Sequence, residues 1–136
     1  MPEISDDDYR RVLAFRTELR RFVRWSEDTA RASGMTPAVH QLLLAVRGLS
    51  GDQGPTIGDV ADVLLTRHHS TVELAGRAAD QGLIIRTRGD RDHREVRLEL
   101  TTLGATNLAD ITRQHLAKIA TVAGALEQVA RPSHER

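Results

Sequence analysis

The 136 residues hold 19 Lys+Arg against 19 Asp+Glu, so the net charge is zero and the large positive excess of an indiscriminate polyanion binder is missing. Hydrophobic residues make up 40% and charged residues 28%, a globular composition that excludes a disordered chain. The chain has no cysteine, which excludes disulfides, thiolate catalysis and cysteine-ligated zinc.

The opening Met-Pro-Glu-Ile-Ser-Asp-Asp-Asp has neither the basic segment nor the apolar run of a secretory signal. No stretch approaches the ~18 apolar residues of a membrane span. A soluble, cytoplasmic protein is the expectation. Ser5 ahead of Asp6, Asp7 and Asp8 reads as an N-cap with acidic residues in the first turn. Val12, Leu13, Leu19, Phe22 and Val23 then recur at helical spacing, and the helix is predicted to run to about Ala32 with Gly34 as its stop. That is long for so short a chain.

Thr36-Pro37 opens a second helix, carrying Val39, Leu42, Leu43 and Val46 and predicted to end at Gly48. After a loop over 50–55, Thr56 caps a short third helix with Ile57, Val60, Ala61 and Leu64 inside. A polar break at Thr66-Arg67 leads to a fourth, roughly His68 to Gln81, closed by Gly82. Two short helices across a tight turn form a helix-turn-helix, whose second helix is built to enter a major groove.

From Leu83 the pattern turns to strands. Leu83 to Arg88 and Arg94 to Leu100 flank a charged turn over Gly89 to His93, and Val96, Leu98 and Leu100 alternate with Arg97 and Glu99. This is a β-hairpin with an arginine-rich tip. Thr101 or Thr102 begins the last helix, marked by Leu103, Leu108, Ile111, Leu116 and Ile119. Gly124 is a candidate break, and 131–136 is expected to fray.

The order of these elements resembles the MarR family of bacterial transcription regulators. The resemblance rests on His69-Ser70-Thr71-Val72-Glu73-Leu74, then Gly82-Leu83-Ile84, then Gly89-Asp90-Arg91-Asp92-His93-Arg94, then Leu100-Thr101-Thr102-Leu103-Gly104, in that order and spacing. It implies a mainly α fold with a small β-hairpin wing (α+β). The expectation is a single domain over 1–136: a winged helix-turn-helix lobe at about 36–100, between dimerisation helices at about 5–34 and 101–130. It also implies a homodimer on a pseudo-palindromic operator in double-stranded DNA, acting as a repressor.

Ser70 and Thr71, near the start of the recognition helix, are candidate contacts to phosphate or base edges, although both residue types also favour helix N-termini. Arg67 in the turn before it, and His68, His69 and Arg77 on the same helix, are further candidates. Arg88, Arg91 and Arg94 are the wing candidates, since a minor groove attracts arginine. In the family pattern a wing Asp holds an Arg in position, and here Asp90, Asp92 and Glu95 are at hand. Residues 66–97 hold seven Arg against five Asp+Glu, a local balance of +2 that predicts modest, salt-dependent affinity.

Relatives that bind small aromatic or phenolic acids point to an effector cleft, for which Arg16, Trp25 and His40 are the candidates, Arg as the carboxylate partner. No metal or other cofactor is expected. Two other classes compete. An enzyme would need a constellation: the sequence has no His-Glu-x-x-His, no Gly-x-Ser-x-Gly and no phosphate-binding glycine loop, and His40, His93 and His115 are scattered. A winged-helix protein-interaction module would not need arginines in the wing together with Ser70-Thr71 in the helix.

Overall fold

The computed structural model describes residues 2–89, 91 and 94–132. The turn residues Asp90, Asp92 and His93 and the tail 133–136 lie outside the described residues. Within them the elements are α1 (Asp6–Ala32), α2 (Pro37–Leu49), α3 (Ile57–Leu64), α4 (His68–Asp80), β1 (Ile84–Arg88), β2 (Val96–Leu100) and α5 (Thr102–Ala130). The fold is mainly α with one antiparallel hairpin, as the sequence predicts.

Each boundary has a local cause. Ser5 Oγ accepts the Asp8 backbone N–H at 3.2 Å while the Asp8 carboxylate accepts that of Ser5 at 2.9 Å. The Ser5 backbone N–H, followed by its hydroxyl, holds the Asp8 carboxyl below its usual pKa. Thr56 and Asp59 repeat this box on α3. Gly34 (φ 79°) and Gly82 (φ 74°) close α1 and α4 in the left-handed region, with Met35 N–H on the Ala30 carbonyl and Leu83 N–H on that of Ala78. Two predicted stops differ. α2 runs through Gly48 to Leu49, and α5 continues unbroken past Gly124. A lone glycine costs a helix only about 1 kcal/mol relative to Ala, which neighbouring turns outweigh.

The core gathers on α2. Val39, Leu42, Leu43 and Val46 pack with Val60 of α3, Leu74, Ala75 and Ala78 of α4, Ile84 and Leu98 of the hairpin, and Ile111 of α5. The hairpin pairs Ile84 with Leu100 and Arg88 with Val96. The loop before α3 is stitched onto its outer strand. Leu98 N–H donates to the Pro55 carbonyl at 2.9 Å, and the Arg97 guanidinium spans the Gly54 carbonyl at 2.8 Å and Glu95 at 2.9 Å. Gly54 permits this approach, because a Cβ there would land on the Leu98 carbonyl.

α1 and α5 behave differently. α1 is 27 residues long yet fully buries only Ser26 and Ala30. Its Val12, Leu13 and Val23 stay 62%, 63% and 52% exposed, and Leu116 of α5 stays 64% exposed. The two helices are clasped at one end, where Arg11 donates to the carbonyls of Val129 at 3.3 Å and Ala130 at 2.8 Å.

Candidate nucleic-acid interface

α3, the turn and α4 place one helix face outward. Thr71, Leu74, Ala75 and Ala78 point into the core, leaving Arg67, His68, His69, Ser70, Glu73 and Arg77 exposed. Thr71 is therefore corrected as a contact candidate. It is 1% exposed, and its hydroxyl is engaged by Thr66 Oγ1 at 2.8 Å and the Arg67 carbonyl at 2.9 Å. It fixes the turn from inside. The i, i+3, i+4, i+7 spacing of Thr71, Leu74, Ala75 and Ala78 carries that burial in the sequence itself. Ser70, turned about 100° away, remains on the surface.

The turn is tight at Leu65, the only non-glycine with positive φ (55°) among the described residues, and this residue is 92% exposed. Beyond it Arg67 stands at the N-cap of α4 without a side-chain capping bond, whereas Ser5, Thr36, Thr56 and Thr101 cap the other helices. Uncapped first-turn amides and the positive end of the helix dipole suit an anionic oxygen.

The wing stands beside this helix. A cleft of about 300 Å³ is lined by His68 and Val72 of α4, Thr56 to Gly58 at the head of α3, and Arg94 to Val96 at the foot of the wing. Two sequence candidates, His68 and Arg94, are thus brought to one cleft. Arg88 ends β1 and Arg91 lies at the wing tip, both exposed. Arg77 is exposed farther along α4. The hairpin residue the sequence does not single out is Arg97, whose bonds brace the wing against the loop before α3.

The effector candidates do not form one wall. Arg16 and Trp25 are nine positions apart on α1, about half a turn round the helix after whole turns are removed. Arg16 lines a cleft with Leu19, Arg20, Val23, Arg24 and Glu27 on the outer face. Trp25 faces inward, its ring centroid 4.8 Å from that of His115, which lies 5.0 Å from that of His40. The grouping of Arg16 with Trp25 and His40 is corrected accordingly.

His40 and His115, scattered in sequence, meet at the junction of α1, α2 and α5. His115 Nδ1 lies 2.9 Å from the Ile111 carbonyl, which only accepts, so Nδ1 carries the hydrogen. In the neutral form of that ring Nε2 would then accept the Ser26 hydroxyl at 2.7 Å. His40 is 2% exposed and its Nδ1 has no hydrogen-bond partner among the described residues. Burial, and secondarily the neighbouring His115, push its pKa below the usual imidazole value. No local periodicity announces this pair, because its members are brought together only by packing. Among the described residues no three His, Asp or Glu side chains converge as a metal cage, and no helix is long and apolar enough to cross a membrane.

A helix-turn-helix with a hairpin wing, carried between two long helices, defines a winged helix-turn-helix protein. The MarR family model matches residues 33–95, from the end of α1 into the wing. AbsC, a MarR family transcriptional regulator from Streptomyces coelicolor, superposes with a TM-score of 0.75 at 16% identity, over 98% of this chain and 88% of its own. A second MarR family transcription regulator gives 0.73 at 22% identity, over 85% of this chain and 75% of its own. A mutant MarR from E. coli, complexed with operator DNA, gives 0.64 at 20% identity over 85% and 90%. No curated protein sequence matches the chain closely enough to count as a relative. The resemblance to the MarR family drawn from the motifs is borne out, and the fold is the one these regulators share.

Proposed function

We propose that this chain is a DNA-binding transcription regulator, a repressor that occupies a pseudo-palindromic operator as a homodimer. One observation carries the reading: a polar recognition face with an uncapped N-terminus stands beside a wing that presents Arg91 and Arg94. α4 would enter the major groove, with Arg67, His68, His69, Ser70 and Arg77 toward bases and phosphates, and the wing would follow the adjacent minor groove. The apolar rows of α1 and α5 supply the dimer contact, which sets the two recognition helices roughly 34–36 Å apart. The similar fold of a MarR complexed with operator DNA supports the same use of the lobe. Trp25 and His40 are the candidates for contact with a small aromatic or phenolic effector in this reading.

The test is an anisotropy titration against duplexes from the DNA upstream of the chain's own coding sequence, with a scrambled duplex and Arg91→Ala alongside, at two salt concentrations. Binding that the scrambled duplex does not match, and that weakens with salt and roughly tenfold or more with Arg91→Ala, is the expected result. Equal affinity for every duplex overturns sequence-specific regulation and favours a protein-interaction module.

A further inference from the structure

Within the DNA-binding reading above, on which this inference rests, one exposed group on α4 runs against the electrostatics of docking to a polyanion. Glu73 lies two positions from Thr71, about 160° from it round the helix, and so near the pole opposite the buried stripe. His69 lies symmetrically on the other side of Thr71. Its Nε2 is 3.2 Å from Glu73 Oε1, with the side chains 83% and 59% exposed. This is the only ion-pair partner of Glu73 among the described residues. Among the described residues no arginine is paired with the carboxylate. As a surface pair the two contribute little to stability, so helix stability does not explain an acid at this place.

We propose that Glu73 is a specificity-determining residue that accepts a hydrogen bond from the exocyclic amino group of a cytosine in each half-site. A carboxylate at pH 7 only accepts hydrogen bonds, and phosphate oxygens repel it. Major-groove edges offer donors at cytosine N4 and adenine N6 alone. At adenine the N7 acceptor sits beside the donor and opposes a second carboxylate oxygen. Guanine presents two acceptors, and thymine an acceptor and a methyl group. Cytosine is the base whose edge offers a donor without a competing acceptor. The His69 imidazole, 3.2 Å away, flanks the Glu73 side chain at the pole of the helix, on the face away from the core. The same carboxylate penalises register on non-cognate DNA, where it meets only acceptors, so it lowers general affinity while it selects sequence.

The experiment selects bound duplexes from a randomised pool with the full chain, comparing the unaltered protein with Glu73→Gln and Glu73→Ala. Circular dichroism melts confirm that each variant folds. The unaltered protein is expected to enrich C·G at one symmetry-related position per half-site. Glu73→Gln should move that position toward A·T, because an amide pairs bidentately with adenine. Glu73→Ala should flatten it, lose roughly 5- to 10-fold against the C·G duplex, and bind unrelated duplexes more tightly. An unchanged preference in both variants, with affinity raised uniformly for every duplex, would show that Glu73 only repels and would overturn the assignment. If the unaltered protein binds no duplex at all, the DNA-binding reading itself falls and takes this assignment with it.

Discussion

At the scale of single residues, the buried imidazole of His40 has a measurable consequence. Its folded-state pKa lies below the usual value, mainly because burial disfavours the charged ring. The unfolded chain therefore binds this proton more readily. Stability from the neutral ring is complete above the unfolded imidazole pKa of about 6.5 and is lost as pH falls below it, at no more than about 1.4 kcal/mol per pH unit. Urea melts at pH 7.5 and 5.5 should show the unaltered protein weakening with acid, and His40→Leu weakening distinctly less. Equal pH slopes would remove His40 from the account. The same scale shows where sequence stops. Thr71 was readable as a core residue from its spacing to Leu74 and Ala78, and Ser70 as its exposed neighbour. The approach of His115 to His40 was not, since it depends on how α5 crosses α2.

At the scale of elements, capping residues and glycines made most of the architecture legible. Ser5, Thr36, Thr56 and Thr101 sit where the sequence places helix starts, and Gly34 and Gly82 where it places stops. Contacts between distant segments were not legible, such as the Arg97 bond to the Gly54 carbonyl, which joins residues 43 positions apart. The joint between hairpin and α5 has the same character. Thr101 donates its hydroxyl to the Gly82 carbonyl at 2.6 Å and its backbone N–H to that of Leu83 at 3.1 Å. Gly104 then packs directly on the Leu83 backbone, so a Cβ at this position would overlap the Leu83 carbonyl. Gly104→Ala should cost about 1–3 kcal/mol through overpacking against backbone that has no rotamer to yield. Thermal denaturation of the purified variant checks this; an unchanged midpoint would mean that α5 shifts along the hairpin without penalty.

At the scale of the whole molecule, the lobe around α2 closes its own core, whereas α1 and α5 leave theirs open. Apolar side chains such as Leu13 and Leu116 stay largely exposed, and the proposed homodimer would cover them. Analytical ultracentrifugation at micromolar concentration should give about twice the 15.1 kDa of one chain. Leu13→Glu should shift it to a single chain, keep the helical spectrum, and lower operator affinity by at least about tenfold, since one half-site alone must then hold the DNA. A single chain for the unaltered protein would overturn the homodimer. The predicted length of α1 is consistent with a partner, and its exposed apolar face is where the proposed homodimer would place it.

The unbroken course of α5 past Gly124 also matters mechanically. Its 29 residues span about 43 Å as one rod, rooted at the hairpin by Thr101 and clasped to α1 by Arg11 at the far end. Such a rod acts as a lever. A tilt of about 5° at the clasped end swings the hairpin end by about 4 Å, comparable to the rise of one base pair. A hinge at Gly124 would absorb that motion within the helix. Without one, if the proposed homodimer holds, small changes in how two chains meet would be passed at full length to the wings, and the spacing of DNA half-sites would be adjusted far from the surface proposed to read them.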